Sequence, residues 1–280
     1  MITALRIIKE DNKSMISRIR SLVFPYSIET ETLRLNNISV FNIRYHRRKG
    51  NVRFDKIYEK CIGHSKVILC DKSVNLFNTP FRRFESTLLN RSLMKNYIVK
   101  LLTLSNIPPK DLTVSYYDPD AGNPSFISEL LRFTSKLTVV TDMSKFYEKE
   151  AARISDISGA AVLVSNNLSD LIPCDILIAP DVIRKSIPSY ESSLIFTCAE
   201  PTVSLCGNII YTYPSDFPQE ITELCPEGID IGCFLSAVFI LYKQKQLGKL
   251  IPHSCGDKYN VYSDEIMLRK LKASCMFSPQ

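Results

Sequence analysis

Carboxylate and amide side chains are concentrated in a short loop that directly follows the apolar run at residues 112–117. The loop supplies two carboxylates, one glycine and one amide: Asp118, Asp120, Gly122 and Asn123. A pyrophosphate needs close approach of the backbone, and therefore glycines at such a turn, and two carboxylates would repel it. The composition of the loop instead suits a divalent cation, a sugar or an amine, or else the loop only makes the turn.

Asp142 follows a second run of β-forming residues, Leu137–Val140. An acid at the end of the second strand, about 20 residues after the first loop, can bind the two hydroxyls of a ribose. The alternative is an acid that caps the next helix or is simply solvated. We keep both interpretations at this point.

Polar residues also follow the third and fourth apolar runs, at residues 160–165 and 175–180. In open α/β sheets, ligands bind beyond the carboxyl ends of the strands, where helix N-termini direct free N–H groups outward. We therefore predict a ligand-binding rim made of eight residues: Asp118, Asp120, Gly122, Asn123, Asp142, Ser165, Asn166 and Asp181.

No recognisable catalytic motif accompanies this rim. The chain has three histidines, and it contains no P-loop, no nucleophile elbow and no HExxH helix. The triplet His253-Ser254-Cys255 has no second ligand pair with the spacing of a zinc site. The catalytic residues therefore stay unknown, and no metal site is predicted.

The segments that must position the rim alternate between short apolar runs and helical patterns. We predict six strands, at residues 112–117, 137–140, 160–165, 175–180, 194–198 and 209–213. Asn123 suits the N-cap of a helix and Pro124 suits its first position. This alternation predicts an α/β fold with a mostly parallel sheet and helices on both faces. The short gap before the sixth run suggests an antiparallel pair at one edge.

Residues 112–213 resemble a Rossmann-type domain in their strand, loop, helix and strand order and in the acid at Asp142. The layout is most similar to the cofactor half of shikimate-dehydrogenase-like proteins. It also resembles class I methyltransferases, in which an acid after the second strand binds the ribose of S-adenosylmethionine. The run 139–142 followed by Tyr147 resembles uncharacterised bacterial proteins. The resemblance implies NAD(P) or S-adenosylmethionine as candidate cofactors, although the glycines of both families are missing from the first loop.

Pro108-Pro109 prevents a helix from continuing and favours an extended connector. We therefore expect a basic N-terminal α/β domain at residues 1–108. A Rossmann-like domain with C-terminal helices would occupy residues 109–280, and its last helix is a candidate to pack back on the first domain. Within the first domain we predict an amphipathic helix at residues 11–23, a hairpin at Asn36-Asn37 and a helix from residue 81 to about residue 104.

Charge is distributed unevenly along the chain. Residues 1–110 carry 21 Lys and Arg against 8 Asp and Glu, whereas residues 111–280 carry 14 against 21. This asymmetry indicates two bodies that attract each other, ordinary solvation, or an anionic partner of the first part. The densest basic stretch, Arg44–Arg53, is either a phosphate or nucleic-acid contact or the solvated end of a hairpin, and we favour the hairpin.

The nine cysteines form no CxxC pair, and several lie inside apolar runs, which is typical of reduced thiols in a cytoplasmic protein. No signal peptide and no membrane span is expected. We therefore expect a cytoplasmic protein that binds a nucleotide or related small ligand, with catalysis left open. The alternatives are a degenerate Rossmann scaffold that binds a partner without a cofactor, and an anion or nucleic-acid binder that acts through the basic stretch. Nucleic acid is the less favoured partner, and the oligomeric state is unknown.

Overall fold

The computed structural model describes residues 1–10, 22–158, 161–242 and 247–277. The chain folds into two compact units, each made of two segments. Unit 1 comprises Met1–Leu89 and Phe217–Lys249, and unit 2 comprises Asn90–Asp216 and Leu250–Gln280. The helix predicted at residues 11–23 lies, apart from its last two residues, outside the described part of the chain.

Unit 1 is built on a five-stranded sheet of order β2-β3-β1-β4-β5. The strands are β1 (Ile2–Lys9), β2 (Tyr26–Leu35), β3 (Ile38–Arg47), β4 (Val67–Cys70) and β5 (Arg82–Arg83), and α1 (Phe54–Lys60) follows β3. The core consists mainly of buried aliphatic and aromatic side chains from β1, β3, α1 and β4.

The β2–β3 pair is antiparallel, and its register closes at Leu35 and Ile38. Asn36 has a φ of 49°, a left-handed conformation that asparagine tolerates better than most residues. The predicted hairpin at Asn36-Asn37 is therefore confirmed. The predicted helix that begins at residue 81 is wrong in its start, because residues 82–83 form strand β5 and the helix begins at Leu88.

Unit 2 contains a six-stranded sheet in which every pair is parallel. Its strands are β6 (Thr113–Tyr117), β7 (Lys136–Val140), β8 (Val162–Ser165), β9 (Ile176–Ala179), β10 (Leu194–Thr197) and β11 (Asn208–Ile210). All residues of β9 and β10 are buried, as continuous apolar runs predict for strands that are covered on both faces.

The order of the six strands is β8-β7-β6-β9-β10-β11. Counted from β6 as the first strand, this is 3-2-1-4-5-6, the order of the Rossmann fold. Tyr117 and Val140 are direct partners in the parallel β6–β7 register, as the sequence predicts. The predicted Rossmann-like α/β class is thus confirmed, whereas the antiparallel edge pair is wrong. Residues 198–207 connect the two strands as an irregular loop, in which Val203 and Leu205 pack on the core, and β10 and β11 run in the same direction.

The remaining elements are α2 (Leu88–Ser105), α3 (Phe126–Leu130), α4 (Ser144–Ser158), α5 (Gln219–Glu223), α6 (Ile231–Tyr242), β12 (Ser254–Gly256), β13 (Val261–Ser263) and α7 (Asp264–Phe277). The division into units differs from the boundary expected at residues 108–109, because nearly all of α2 belongs to unit 2 and residues 217–249 belong to unit 1. Among the described residues, no helix combines the length and the apolar character needed to cross a membrane.

Candidate functional site

A crevice of about 280 Å³ lies at the carboxyl ends of β6, β7 and β9. Strand β6 pairs with β7 on one side and with β9 on the other, so the crevice lies where the strand order reverses. Ligands of doubly wound sheets bind at this point. The lining residues come from the loops after the three strands: Tyr117, Pro119, Asp120, Asp142, Asp181, Val182, Arg184 and Lys185.

Three of the eight predicted rim residues, Asp120, Asp142 and Asp181, line this crevice together. The side chain of Asp142 is 65% exposed, and its Oδ2 lies 3.8 Å from the Nζ of Lys185. Burial raises the pKa of the Tyr117 phenol, and the carboxylates of Asp142 and Asp120 raise it further. The crevice is therefore an acidic site with cationic side chains at its edge.

Asp118 does not line the crevice, because its carboxylate is turned into the first loop. The side chain is buried and accepts hydrogen bonds from the backbone N–H of Gly122 at 3.1 Å and of Asn123 at 3.0 Å. The hydroxyl of Tyr147 donates a third hydrogen bond at 2.5 Å. In a dinucleotide-binding protein, the N–H groups of this loop face the pyrophosphate. Here an internal carboxylate satisfies them.

Two buried tyrosines, Tyr116 and Tyr147, donate hydrogen bonds to the first loop. The Tyr116 and Tyr147 rings meet edge to face with their centroids 6.0 Å apart, and the Tyr116 hydroxyl donates to the carbonyl of Asn123 at 3.4 Å. Burial, followed by the charge of Asp118, raises the pKa of Tyr116, and burial also raises that of Tyr147. Both phenols therefore remain protonated, and Tyr147 remains a donor to Asp118.

Arg91, on α2, connects the first loop with the segment after β9. Its guanidinium donates to the carbonyl of Pro180 at 3.1 Å and to the carboxylate of Asp181 at 2.6 Å. A Cβ atom on Gly122 would lie 3.2 Å from Nη1 of Arg91. The glycine thus allows the guanidinium to approach, and the left-handed position of the turn is Ala121, with a φ of 49°. No local sequence pattern predicts the role of Arg91, because Gly122 lies 31 residues further along the chain and Pro180 and Asp181 lie 89 and 90 residues further.

Lys95 lies one helical turn after Arg91, and its Nζ is 5.1 Å from the centre of the Phe126 ring. Burial first and the charge of Arg91 second lower the pKa of Lys95 to about 8, whereas Glu129 and Asp118 oppose the shift. Lys95 is absent from the lining of the crevice. It therefore packs on helix α3 and lies outside the crevice.

Ser165 and Asn166 are not brought together with the crevice. Ser165 ends the edge strand β8, where its hydroxyl donates to the carboxylate of Asp170 at 2.5 Å and accepts from the N–H of Asn167 at 3.0 Å. Asn166 is exposed, and neither residue lines the crevice. Strand β7 lies between β8 and β6, and this separates the two residues from the switch point.

The described residues contain no group of three or more His, Cys, Asp or Glu side chains that could hold a metal ion. In unit 1, several members of the basic stretch have acidic partners. Arg44 lies within 3.6 Å of Glu29, and Arg48 donates to Glu10 at 2.7 Å. Glu29 and Arg44 are direct partners in the antiparallel β2–β3 register.

No protein-family model matches this chain. A search of curated proteins finds no significant match. Among solved structures, similar chains include the quinate dehydrogenase of Corynebacterium glutamicum in complex with NAD, at 10% identity and a TM-score of 0.28, over 71% of this chain and 80% of that chain.

An archaeal alanine dehydrogenase dimer with bound NAD is similar over 68% of this chain and 66% of that chain, at 11% identity and a TM-score of 0.28. The Δ1-pyrroline-2-carboxylate reductase of Thermococcus litoralis, in complex with NADH and L-proline, is similar at 14% identity and a TM-score of 0.28. This chain covers about a third of the length of that reductase, 36%. The Rossmann-like assignment therefore rests on the order and direction of the six strands.

Proposed function

We propose that unit 2 binds a nucleoside or a related hydroxyl-bearing small ligand that has no pyrophosphate group. The observation that carries the proposal is that two acids, Asp142 and Asp118, have different positions and partners. Asp142 presents an exposed carboxylate to the switch-point crevice, and Asp118 occupies the N–H groups that would otherwise receive a phosphate. The proposal assigns no catalytic step.

The electrostatics of the crevice support a neutral or cationic ligand. Three carboxylates line the crevice, those of Asp120, Asp142 and Asp181, against the two cations Arg184 and Lys185. Carboxylates accept hydrogen bonds from paired hydroxyls, and they repel phosphate groups. S-adenosylmethionine combines a ribose with a sulfonium, an ammonium and one carboxylate, so it has a net positive charge and no phosphate, and it suits this site better than NAD(P) does.

The test is isothermal titration calorimetry of the full chain with S-adenosylmethionine, S-adenosylhomocysteine and adenosine, compared with NAD, NADP and ATP. We expect binding of the first group only. Removal of the charge in Asp142→Asn weakens two charge-assisted hydrogen bonds, so the affinity falls at least about tenfold. Asp156→Asn, an exposed acid on α4, is the matched control and leaves the affinity unchanged.

Two results would count against this proposal: tighter binding of NAD or ATP than of the nucleosides, or equal affinity of the Asp142→Asn protein and the parent chain. In the first case, the loop must rearrange to release the N–H groups held by Asp118. In the second, the ribose does not contact Asp142.

A second candidate function is a scaffold that binds a protein partner without any cofactor. The self-satisfied first loop also favours this function, because a loop closed by Asp118 needs no ligand for its stability. If none of the six compounds raises the melting temperature of the full chain, the scaffold is the better interpretation, since a ligand at a hundred times its Kd adds roughly 2.7 kcal/mol to stability.

A further inference from the structure

Unit 1 contains a second and larger depression, an open groove of about 980 Å³. It lies beyond the carboxyl ends of the parallel strands β1, β3 and β4, in the same relation to its sheet as the crevice of unit 2. Its lining combines cationic, carboxylate, amide, hydroxyl and aromatic side chains from β1, from the end of β3 and from the loops 51–55 and 71–79, and its two carboxylates are Asp55 and Asp71.

Lys9 and Arg47 form the cationic end of the groove. They are direct partners in the parallel β1–β3 register, so their side chains leave the same face of the sheet, and both line the groove. Neither has an acidic partner among the described residues, in contrast to Arg53, which is paired with Asp55 at 2.8 Å, and Arg6, which is paired with Glu227 at 2.7 Å. Two adjacent cations without a counter-ion favour a doubly charged anion.

The loop after β4 forms a rigid polar wall. The guanidinium of Arg83 donates to the carbonyls of Asp71 and Lys72, both at 3.2 Å, and also to that of Val74. The carboxylate of Asp71 is engaged with the N–H of Ser73 at 2.7 Å. The carboxamide oxygen of Asn75 accepts from the N–H of Phe77 at 2.9 Å, and the hydroxyl of Thr79 donates to the carbonyl of Leu76 at 2.8 Å. The polar side chains along the groove are Asn51, Asn75, Asn78 and Thr79.

Phe77 provides an apolar surface at the same wall. Its side chain is 81% exposed although it lines the groove, and Phe54 lines the groove as well. A phenylalanine that is left in solvent at the edge of a polar depression is suited to pack against the face of a ring. The groove thus offers a cationic end, polar side chains and an aromatic surface.

We propose that this groove binds a phosphate monoester of a hydroxylated ring compound. The phosphate lies against Lys9 and Arg47, the hydroxyls face the asparagine and threonine side chains, and the ring packs on Phe77. A phosphate monoester carries about −1.5 to −2 charges at pH 7, which matches two cations better than the single charge of a carboxylate does. The chemistry is shared by sugar phosphates and by nucleoside monophosphates, and the test separates these two sources.

The test uses the full chain with Asp142→Asn, which weakens binding in unit 2, and the groove variants Lys9→Gln and Arg47→Gln assign the remaining signal to unit 1. The probes are inorganic phosphate, ribose 5-phosphate and AMP, with ribose and citrate as controls, titrated by calorimetry. We expect both esters to bind more tightly than inorganic phosphate and citrate, and ribose not to bind. A gain of AMP over ribose 5-phosphate identifies the nucleotide as the source, and equal affinities identify the sugar phosphate.

Lys9→Gln and Arg47→Gln should each weaken ester binding about tenfold, because each removes a charge-assisted hydrogen bond. Lys60→Gln, an exposed cation outside the groove, should leave it unchanged. Lys9 is exposed, so its variant keeps the test valid if the half-buried Arg47 proves necessary for folding. The proposal is overturned if no ester binds, if citrate binds as tightly, or if Lys9→Gln has no effect on binding.

Discussion

At the scale of single residues, Asp118 has the greatest effect on how the first loop can be used. Its buried carboxylate accepts three hydrogen bonds, and two of them hold the backbone N–H groups of Gly122 and Asn123 without any ligand. A glycine-rich loop leaves the same N–H groups free for a phosphate. The loop is therefore held by its own side chains, and in the proposed function Asp120 and Asp142 contact the ligand.

Asp118→Asn should destabilise unit 2 by about 1–3 kcal/mol, because the amide removes the charge and directs an NH₂ group at backbone donors. The measurement is the urea unfolding midpoint at constant slope. Asp120→Asn is the matched control: the side chain is exposed, and the change should stay within about 0.5 kcal/mol. Equal effects of the two substitutions would show that Asp118 does not organise the loop.

Lys95 should make stability depend on alkaline pH. Its pKa in the folded chain, about 8, lies below the ordinary value of 10.5, so the unfolded chain binds more protons between these values. The contribution of Lys95 to the free energy of unfolding therefore increases as the pH rises from about 8 towards 10.5. Lys95→Met removes this charge, so it should be more stable than the parent chain at pH 7.

The advantage of Lys95→Met over the parent chain should shrink above pH 8, and this difference cancels the titration of groups that both proteins share. Parallel urea titrations at several pH values measure it. A difference in the free energy of unfolding that stays constant from pH 7 to pH 10 would contradict the lowered pKa of Lys95.

The sequence identifies the acids of the crevice, but it does not reveal how the loop is closed. Asp120, Asp142 and Asp181 could be found because each follows an apolar run that becomes a parallel strand. The engagement of Asp118 depends on Tyr147, which lies 29 residues away, and no local pattern indicates that its hydroxyl points back to the loop. The contacts of Arg91 could not be predicted either, because a helix pattern alone does not show which side chain reaches Pro180.

At the scale of elements, the β2–β3 hairpin depends on the conformation of one turn residue. Asn36→Val should destabilise unit 1 by about 1–2 kcal/mol, because a β-branched residue is strained in the left-handed region that Asn36 occupies. Asn36→Gly should be tolerated, since glycine adopts positive φ without strain. Thermal or urea unfolding measures both variants.

The matched control is Asn37→Val. Asn37 is the other residue of the turn, it is exposed as well, and it is not among the residues with positive φ. A loss of stability at residue 37 as large as that at residue 36 would mean that side-chain loss, and not backbone strain, causes the effect.

Strands of unit 2 could be predicted because burial on both faces demands continuous apolar runs, and β9 and β10 are entirely buried. The direction of β11 relative to β10 could not be predicted in this way. The connection between β10 and β11, residues 198–207, is short for a crossover, which normally takes a dozen or more residues. Its length therefore favours an antiparallel pair. The chain instead makes the parallel crossing with loop residues alone, and only the register of β10 with β11 reveals it.

At the scale of the whole molecule, each unit is assembled from two separate segments of the chain. Helix α2 ends at Ser105, before Asn106 with a φ of 53°, and Pro108-Pro109 does not separate the helix from unit 2. Side chains of α2 bind residues late in unit 2: Asn96 donates to the carbonyl of Leu250 at 2.8 Å, and Lys100 is paired with Asp264 at 2.5 Å. A pattern of prolines and charge cannot report such long-range contacts.

The whole-molecule prediction is that unit 2 requires α2 for folding. A fragment of residues 88–280, with residues 217–249 replaced by a Gly-Ser linker, should unfold cooperatively in urea. The same fragment without residues 88–108 should not. The shortened fragment loses Tyr97, which is fully buried with its ring centroid 6.5 Å from that of Phe196 and 6.2 Å from that of Tyr213. It also loses Arg91, which donates hydrogen bonds to Pro180 and Asp181.

Near-ultraviolet circular dichroism, which reports packed tyrosines, distinguishes the two fragments. Removing a fully buried aromatic residue from a core costs about 3–5 kcal/mol, and this is a large part of the 5–15 kcal/mol that stabilises a typical domain. Since the shortened fragment also loses Asn96 and Lys100, its native state should not be populated. Equal cooperativity of the two fragments would mean that the sheet and its later helices fold without α2, and that a domain starting at residue 109 stands on its own.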